Sequence, residues 1–114
     1  MYKRISNSDF IKLIKLNEST TLELDVISNN ISFSDFFNFY SSTYRNDTII
    51  ISGFKDKNKE LMTNSFKFKI DSICEIKTLI DEGSIDHIAH SKLKLILDDT
   101  SLVNIYFENY FYLD

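Results

Sequence analysis

The chain reads as an α+β domain: an antiparallel sheet of about five strands with an N-terminal helix and one or two further helices. Three observations lead there. Several segments alternate apolar and polar residues, as strands with one buried face do. One segment near the N-terminus instead spaces its apolar residues three and four apart, as an amphipathic helix does. The 114 residues, 43% hydrophobic and 26% charged, suit a single globular domain over 1–114 with a core of its own.

Residues 6–16 open on Ser6, with Asp9 three positions later, and place Phe10, Leu13 and Ile14 on one stripe opposite Lys12 and Lys15. This predicts a short capped helix. Residues 20–27 alternate, Leu22, Leu24 and Val26 against Glu23 and Asp25, and predict a strand ended by Ser28-Asn29-Asn30. Residues 31–44 carry six aromatics, and the spacing of Phe33, Phe37, Tyr40 and Tyr44 favours a helix capped by Ser34. Residues 48–54 and 61–70 predict a hairpin, with Phe66, Phe68 and Ile70 inward and Lys67 and Lys69 outward. Residues 70–80 fit two descriptions equally. One is a helix with Ser72 and Glu75 as capping box and Gly83 as its stop; the other is an extension of the preceding strand. Were both 31–44 and 70–80 strands, the fold would be an all-β roll or barrel.

The C-terminal segments predict a second hairpin. Leu93, Leu95 and Leu97 share one face of residues 92–97, and Val103, Ile105 and Phe107 share one face of the last strand. A five-residue loop over 98–102 sets Lys92 opposite Glu108; a three-residue loop sets Lys92 opposite Tyr106. The charge pair favours the longer loop, by roughly 0.2–1 kcal/mol. On the polar side of the last strand stand Asn104, Tyr106, Glu108, Tyr110 and Tyr112, a ladder of tyrosines facing solvent.

With no proline and two glycines, against about six and eight at average usage, the chain has to turn on Asn, Asp and Ser. One cysteine, Cys74, leaves no intrachain disulfide, and its flanking isoleucines predict burial as a small hydrophobe. The N-terminal residues lack the uninterrupted apolar core of a signal peptide and no run is long enough to span a bilayer, which predicts a cytoplasmic location and no membrane association. The three Asn-x-Ser/Thr sites, at Asn17, Asn30 and Asn46, then follow from an Asn-rich composition.

Net charge is −4, and all of it falls in residues 61–114, where five basic groups face nine acidic ones. An acidic surface disfavours a nucleic-acid partner and suits a basic protein.

Asp86-His87-x-x-His90 with Glu82 could hold a divalent metal on a helix, but two nearby histidines are a weak signal, and no metal or other cofactor is expected. No catalytic arrangement stands out: Cys74 has no glycine-rich nest beside it, and His87 and His90 lack a defined partner. Asp98-Asp99 and Asp81-Glu82 fall at expected turns, where Asp serves the backbone. A gathering of Lys67, Lys69, Lys92 and Lys94 reads as a solvated face.

The expectation is therefore a non-enzymatic, acidic protein-binding module. The Ile-, Asn- and Lys-rich composition is that of products of AT-rich genomes, and small acidic proteins of that kind from bacteria, phages or plasmids are often inhibitors, so a toxin-immunity or anti-defence role is the expectation. The expected contact residues are Tyr106, Tyr110, Tyr112 and Glu108, with Asp98 and Asp99. The aromatic segment 33–44 could also make a homodimer interface. The other class is a small-ligand or nucleotide site with aromatic walls.

Overall fold

A computed structural model describes residues 2–81 and 89–112, with side-chain surroundings described for 3–78 and 92–108. Strand β1 (Tyr2–Arg4) leads into helix α1 (Asn7–Leu16). Ser6 caps the helix, its hydroxyl accepting from the Asp9 N–H at 3.1 Å, and Phe10, Leu13 and Ile14 are buried, as the stripe predicted. Strands β2 (Leu22–Ile27), β3 (Ser32–Phe37), β4 (Ser41–Arg45), β5 (Thr48–Phe54) and β6 (Met62–Lys69) follow. A single 3-10 turn (Ile70–Ser72) precedes β7 (Ile73–Asp81), β8 (Ala89–Leu97) and β9 (Leu102–Tyr112).

The strands form two antiparallel sheets. One has the order β1-β7-β8-β9-β2-β3, and the other is β4-β5-β6. Neither closes into a barrel. Between them lies one cluster of buried side chains: Leu22, Leu24, Leu93, Leu95, Val103 and Ile105 from the large sheet, Ile49 and Ile51 from the small one, and the stripe of α1. Phe10 of α1 meets Phe68 at 6.2 Å, and Phe68 meets Phe66 at 5.7 Å, so the aromatics of β6 carry the core toward the sheet junction. Among the described residues, no helix is long and apolar enough to cross a membrane.

The α+β class holds coarsely, with less helix and more strand than expected. Residues 31–44 are β3 and β4, not a helix, and the capping box at Ser72 and Glu75 is not formed because β7 begins at Ile73. The reason in 31–44 is a tight turn at Asn38-Phe39-Tyr40, with Phe39 left-handed at φ 49°. The turn brings Tyr40 back onto α1 and leaves Phe33 and Phe37 to alternate along β3.

The β4–β5 hairpin turns on Asn46 and Asp47, φ 52° and 63°, where two successive left-handed residues match the twist of a two-residue hairpin loop. Gly53, the described glycine of the strands, does not sit at positive φ. The left-handed positions fall to Ser19, Phe39, Asn46, Asp47, Lys59 and Thr100.

The β8–β9 hairpin corrects the expected register. Leu93 pairs with Ile105, Leu95 with Val103 and Lys92 with Tyr106, so the loop is the shorter one, residues 98–100. Two interactions outweigh the Lys92–Glu108 charge pair. The Lys92 ammonium sits 4.9 Å from the Tyr106 ring centroid. In the loop, the Asp99 carboxylate accepts from the Ser101 N–H at 2.8 Å, and the same Ser101 holds the Asp99 carboxyl below its ordinary range. The loop ends on Thr100 at φ 69°, a conformation that costs a branched residue about 1–2 kcal/mol. Thr100→Asn, which tolerates that backbone, is expected to raise stability by about 1 kcal/mol; an unchanged or lower urea midpoint would count against this loop.

Cys74 is exposed, against the expected burial. The ladder between β7 and β8 passes from Ile73–Leu97 to Glu75–Ile96, so Cys74 is the extra residue of a bulge.

Candidate partner-binding face

Alternation along β2, β3 and β9 fixes what the outer face of the large sheet displays, the face turned away from the core. Cross-strand partners share a face, so Tyr106, Glu23 and Phe36 form one row, and Lys94, Asn104, Asp25 and Ser34 the next. Glu108 stands beside Thr21, which donates its N–H to the Glu108 carboxylate at 2.9 Å.

Two grooves lie on this part of the sheet. The first, of about 310 Å³, is lined by Thr21, Glu23, Phe36, Tyr106, Phe107 and Glu108. The second, of about 360 Å³, is lined by Asp25, Val26, Ile27, Ser32, Phe33 and Ser34. Carboxylates and aromatics, not lysines, line both. The Lys92 ammonium already sits over the Tyr106 ring, 4.9 Å from its centroid.

The charge of the large sheet is divided. Arg4, Lys77, Lys92 and Lys94 lie on β1, β7 and β8. Arg4 and Lys77 both reach Glu75, at 3.0 and 3.3 Å, and Arg4 foremost holds the Glu75 carboxyl below its ordinary range. Strands β2, β3 and β9 contain no Lys, Arg or His, and they carry Glu23, Asp25, Asp35 and Glu108. The whole stretch 16–44 has no basic residue and four acidic ones.

Strand β3 forms one edge of the sheet, and every residue from Ser32 to Phe36 is exposed. Phe33 is 44% and Phe36 56% exposed, and Ile27 and Ile31 are exposed beside them. Phe33 still touches the interior through Phe66, 6.0 Å away.

Two of the expected contact residues meet here, since Tyr106 and Glu108 line the first groove. Asp98 and Asp99 are instead in the β8–β9 turn, at the end of the sheet that also holds the β2–β3 turn. Tyr112 pairs with Ala89 and Phe111 with His90 in the backbone, but the ladder shifts between His90 and Lys92. The backbone pairing is thus interrupted beyond Tyr106, and the side chains of Tyr110 and Tyr112 lie outside the described ones. So do Glu82, Asp86 and His87, and the side chain of His90, which carried the metal alternative. Among the described residues no three His, Cys, Asp or Glu cluster as metal ligands.

Glu23, Asp25, Ser34, Phe33 and Phe36 were absent from the residues expected to make contacts. The signal for them was present in the sequence: 29 consecutive residues, 16–44, with acids and no base.

No family model matches the chain, and no curated protein matches it by sequence. Among solved structures the fold is similar to that in the crystal structure of ChuX, with a TM-score of 0.61 and 9% sequence identity. The likeness covers 92% of this chain and 61% of that one, so the chain spans less than two thirds of the other's length. At that identity the likeness concerns the fold alone.

Proposed function

We propose that this is a non-enzymatic protein-binding module whose partner presents a basic surface to β9, β2 and β3. The observation that carries the reading is the coincidence of two properties on the same strands. Glu23, Asp25, Asp35 and Glu108 stand there without a basic residue, and Phe33 and Phe36 stand there half exposed. Exposed aromatics beside carboxylates favour a partner that brings both apolar area and positive charge. A phosphate backbone would be repelled by the same carboxylates. The carboxylate lining of the grooves favours this reading over a site for an anionic small ligand or nucleotide. An inhibitory role, of the immunity or anti-defence kind, is part of the proposal and rests on the small, acidic, Ile- and Asn-rich character of the chain.

The test is affinity capture from the native host at low salt, read by mass spectrometry. A basic protein is expected to be retained by the wild type and released near 1 M salt, where the screening length falls to about 3 Å. It is expected to be lost with Glu23→Arg combined with Phe36→Ala. Capture that ignores both the salt and the double substitution would refute the assignment of this face.

A further inference from the structure

We infer that the partner adds an extended strand to the free edge of β3 and sends a Lys or Arg side chain across Ser34 to Asp25. This inference rests on the protein-binding reading and names the mode of contact.

The hydrogen-bond pattern locates the open edge. The Ser28 N–H donates to the Ile31 carbonyl at 2.8 Å and closes the β2–β3 hairpin. Bonded and non-bonded pairs alternate along an antiparallel ladder. From the Ser28–Ile31 closure, Phe33, Asp35 and Phe37 direct their backbone groups at β2, while Ser32, Ser34 and Phe36 direct theirs away from it. No strand among the described residues pairs with that outer side.

One end of the edge is closed by side chains. The Phe36 N–H donates to the Asp35 carboxylate at 2.9 Å, and the Phe36 carbonyl accepts from the Asn64 amide at 2.8 Å. Asn64 also donates to Asp35, at 2.8 Å. Covering an exposed edge in this way prevents unwanted pairing. Ser32 and Ser34 have no such cover, so two residues remain that can exchange backbone bonds with an incoming strand.

Side-chain positions then define the occupant. On the core-side face, an added strand meets Phe33 and Ile31, both exposed. On the outer face it meets Ser32 and Ser34, small enough for a long side chain to lie across. Beyond Ser34, directly paired with it, is Asp25. The Asp25 Oδ1 atom is buried and has no hydrogen-bond partner, and neither has Oδ1 of Asn104, the residue paired with Asp25 on its other side. The groove of about 360 Å³ is lined by Asp25, Val26 and Ile27 of β2 and by Ser32, Phe33 and Ser34 of the edge strand β3. An added strand lies about 10 Å from β2, two strand spacings, which an extended Lys or Arg bridges together with the Asp side chain. Its cationic head then meets the carboxylate of Asp25. The occupant is thus a segment alternating basic with apolar residues. A second copy of β3 would set Asp25 and Asp35 against their own like charges.

The probe is a blocked seven-residue peptide alternating Lys and Val, titrated into the full ¹⁵N-labelled chain. The expected result is saturable amide shifts at Ser32, Phe33 and Ser34 and at Asp25. An N-methylated form of the peptide, unable to form the ladder, is expected to bind at least tenfold more weakly. Asp25→Asn should weaken the unmodified peptide by a similar factor. Ser34→Pro removes the outward N–H without touching the bonds to β2, and should abolish the shifts while melting cooperatively. Three outcomes overturn the inference: no shifts at Ser32–Ser34 at millimolar peptide, binding indifferent to N-methylation, or concentration-dependent dimerisation through β3. If Ser34→Pro still captures a basic host protein in a salt-sensitive way, edge addition fails and the protein-binding reading stands. If the wild type captures none, the protein-binding reading fails whatever the peptide does.

Discussion

Replacing Tyr40 with Ala is expected to lower the stability of the fold by about 3–5 kcal/mol, the range for truncating a large buried aromatic. Tyr40 has no exposed surface, and its hydroxyl donates to the Ile14 carbonyl at 2.6 Å. That carbonyl is among the last four of α1, which have no partner inside the helix. The neighbouring ends are met differently: Leu13 O accepts from the Asn17 side chain and Lys15 O from the Glu18 N–H. Tyr40 also fixes the chain after α1, because its carbonyl accepts from the Ser19 N–H and its N–H donates to Thr20 O. Tyr40→Phe keeps the ring and removes only the phenol, so it should lose about 1–3 kcal/mol, the penalty of a buried acceptor left alone. Urea unfolding of the two variants separates packing from the hydrogen bond. A loss below about 1 kcal/mol for Tyr40→Ala would contradict the burial.

The same residue predicts a pH dependence. Burial foremost, and the charge of Glu18 next, push the Tyr40 phenol above its ordinary value. The folded state therefore favours the neutral phenol more than the unfolded chain does. Its contribution is complete below the unfolded value of about 10 and is lost as the pH rises above it. Lysines titrate in the same region, so the comparison is between wild type and Tyr40→Phe. The variant should lose less stability on going to high pH.

What the sequence made legible, and what it hid, follows from where its local rules agree with the fold. Helix α1 was readable because cap, stripe and exposed lysines agree, and Phe10, Leu13 and Ile14 are buried together. Strands β2, β6 and β8 are readable because alternation has one apolar set and one polar set, and β5 because Ile49, Ile50 and Ile51 make a β-branched apolar run. Residues 31–44 misled because Phe36, which broke the alternation, is not a core residue. It is 56% exposed on the outer face, so the break in pattern marks the candidate site. The tight turn that ends β3 was equally hidden, since Phe39 gives no sign of a left-handed backbone. Thr100 concealed the short β8–β9 loop for the same reason, although Asp99, two residues before Ser101, is a legible turn signal. The Asn46-Asp47 pair is visible as a breaker, but nothing in it separates a hairpin turn from the end of the helix that the spacing in 31–44 suggests. The acidic face is legible in part: the excess in residues 61–114 is plain, while the base-free stretch 16–44 that supplies Glu23 and Asp25 is hidden inside a neutral first half.

Gly53→Ala is expected to cost about 2–4 kcal/mol, and Gly53→Val more, because the two sheets abut at this residue. Gly53 is buried in β5 and its role is spatial. A Cβ there would stand 3.0 Å from Cα of Phe37 and 3.2 Å from the Thr63 hydroxyl, and it would overlap the Asn64 side-chain oxygen. Phe37 is 1% exposed and held in the large sheet, so its backbone has little freedom to yield. Asn64 has to move instead. Its amide bonds to the Asp35 carboxylate and the Phe36 carbonyl would then weaken, along with the Thr63 hydroxyl bond to its oxygen. The penalty is thus overpacking joined to lost hydrogen bonds, measurable as a lower urea midpoint together with a shifted Asn64 side-chain amide signal. An unmoved Asn64 signal at full stability would refute this description of the junction. The consequence reaches the binding edge. Asn64 sets where the free edge of β3 stops, by occupying the Phe36 carbonyl. Loosening it lengthens the strip open to an incoming strand, at the expense of the anchor that holds β3 to the small sheet. Gly53 is therefore required twice over, for the packing of the two sheets and for keeping the open edge confined to Ser32 and Ser34.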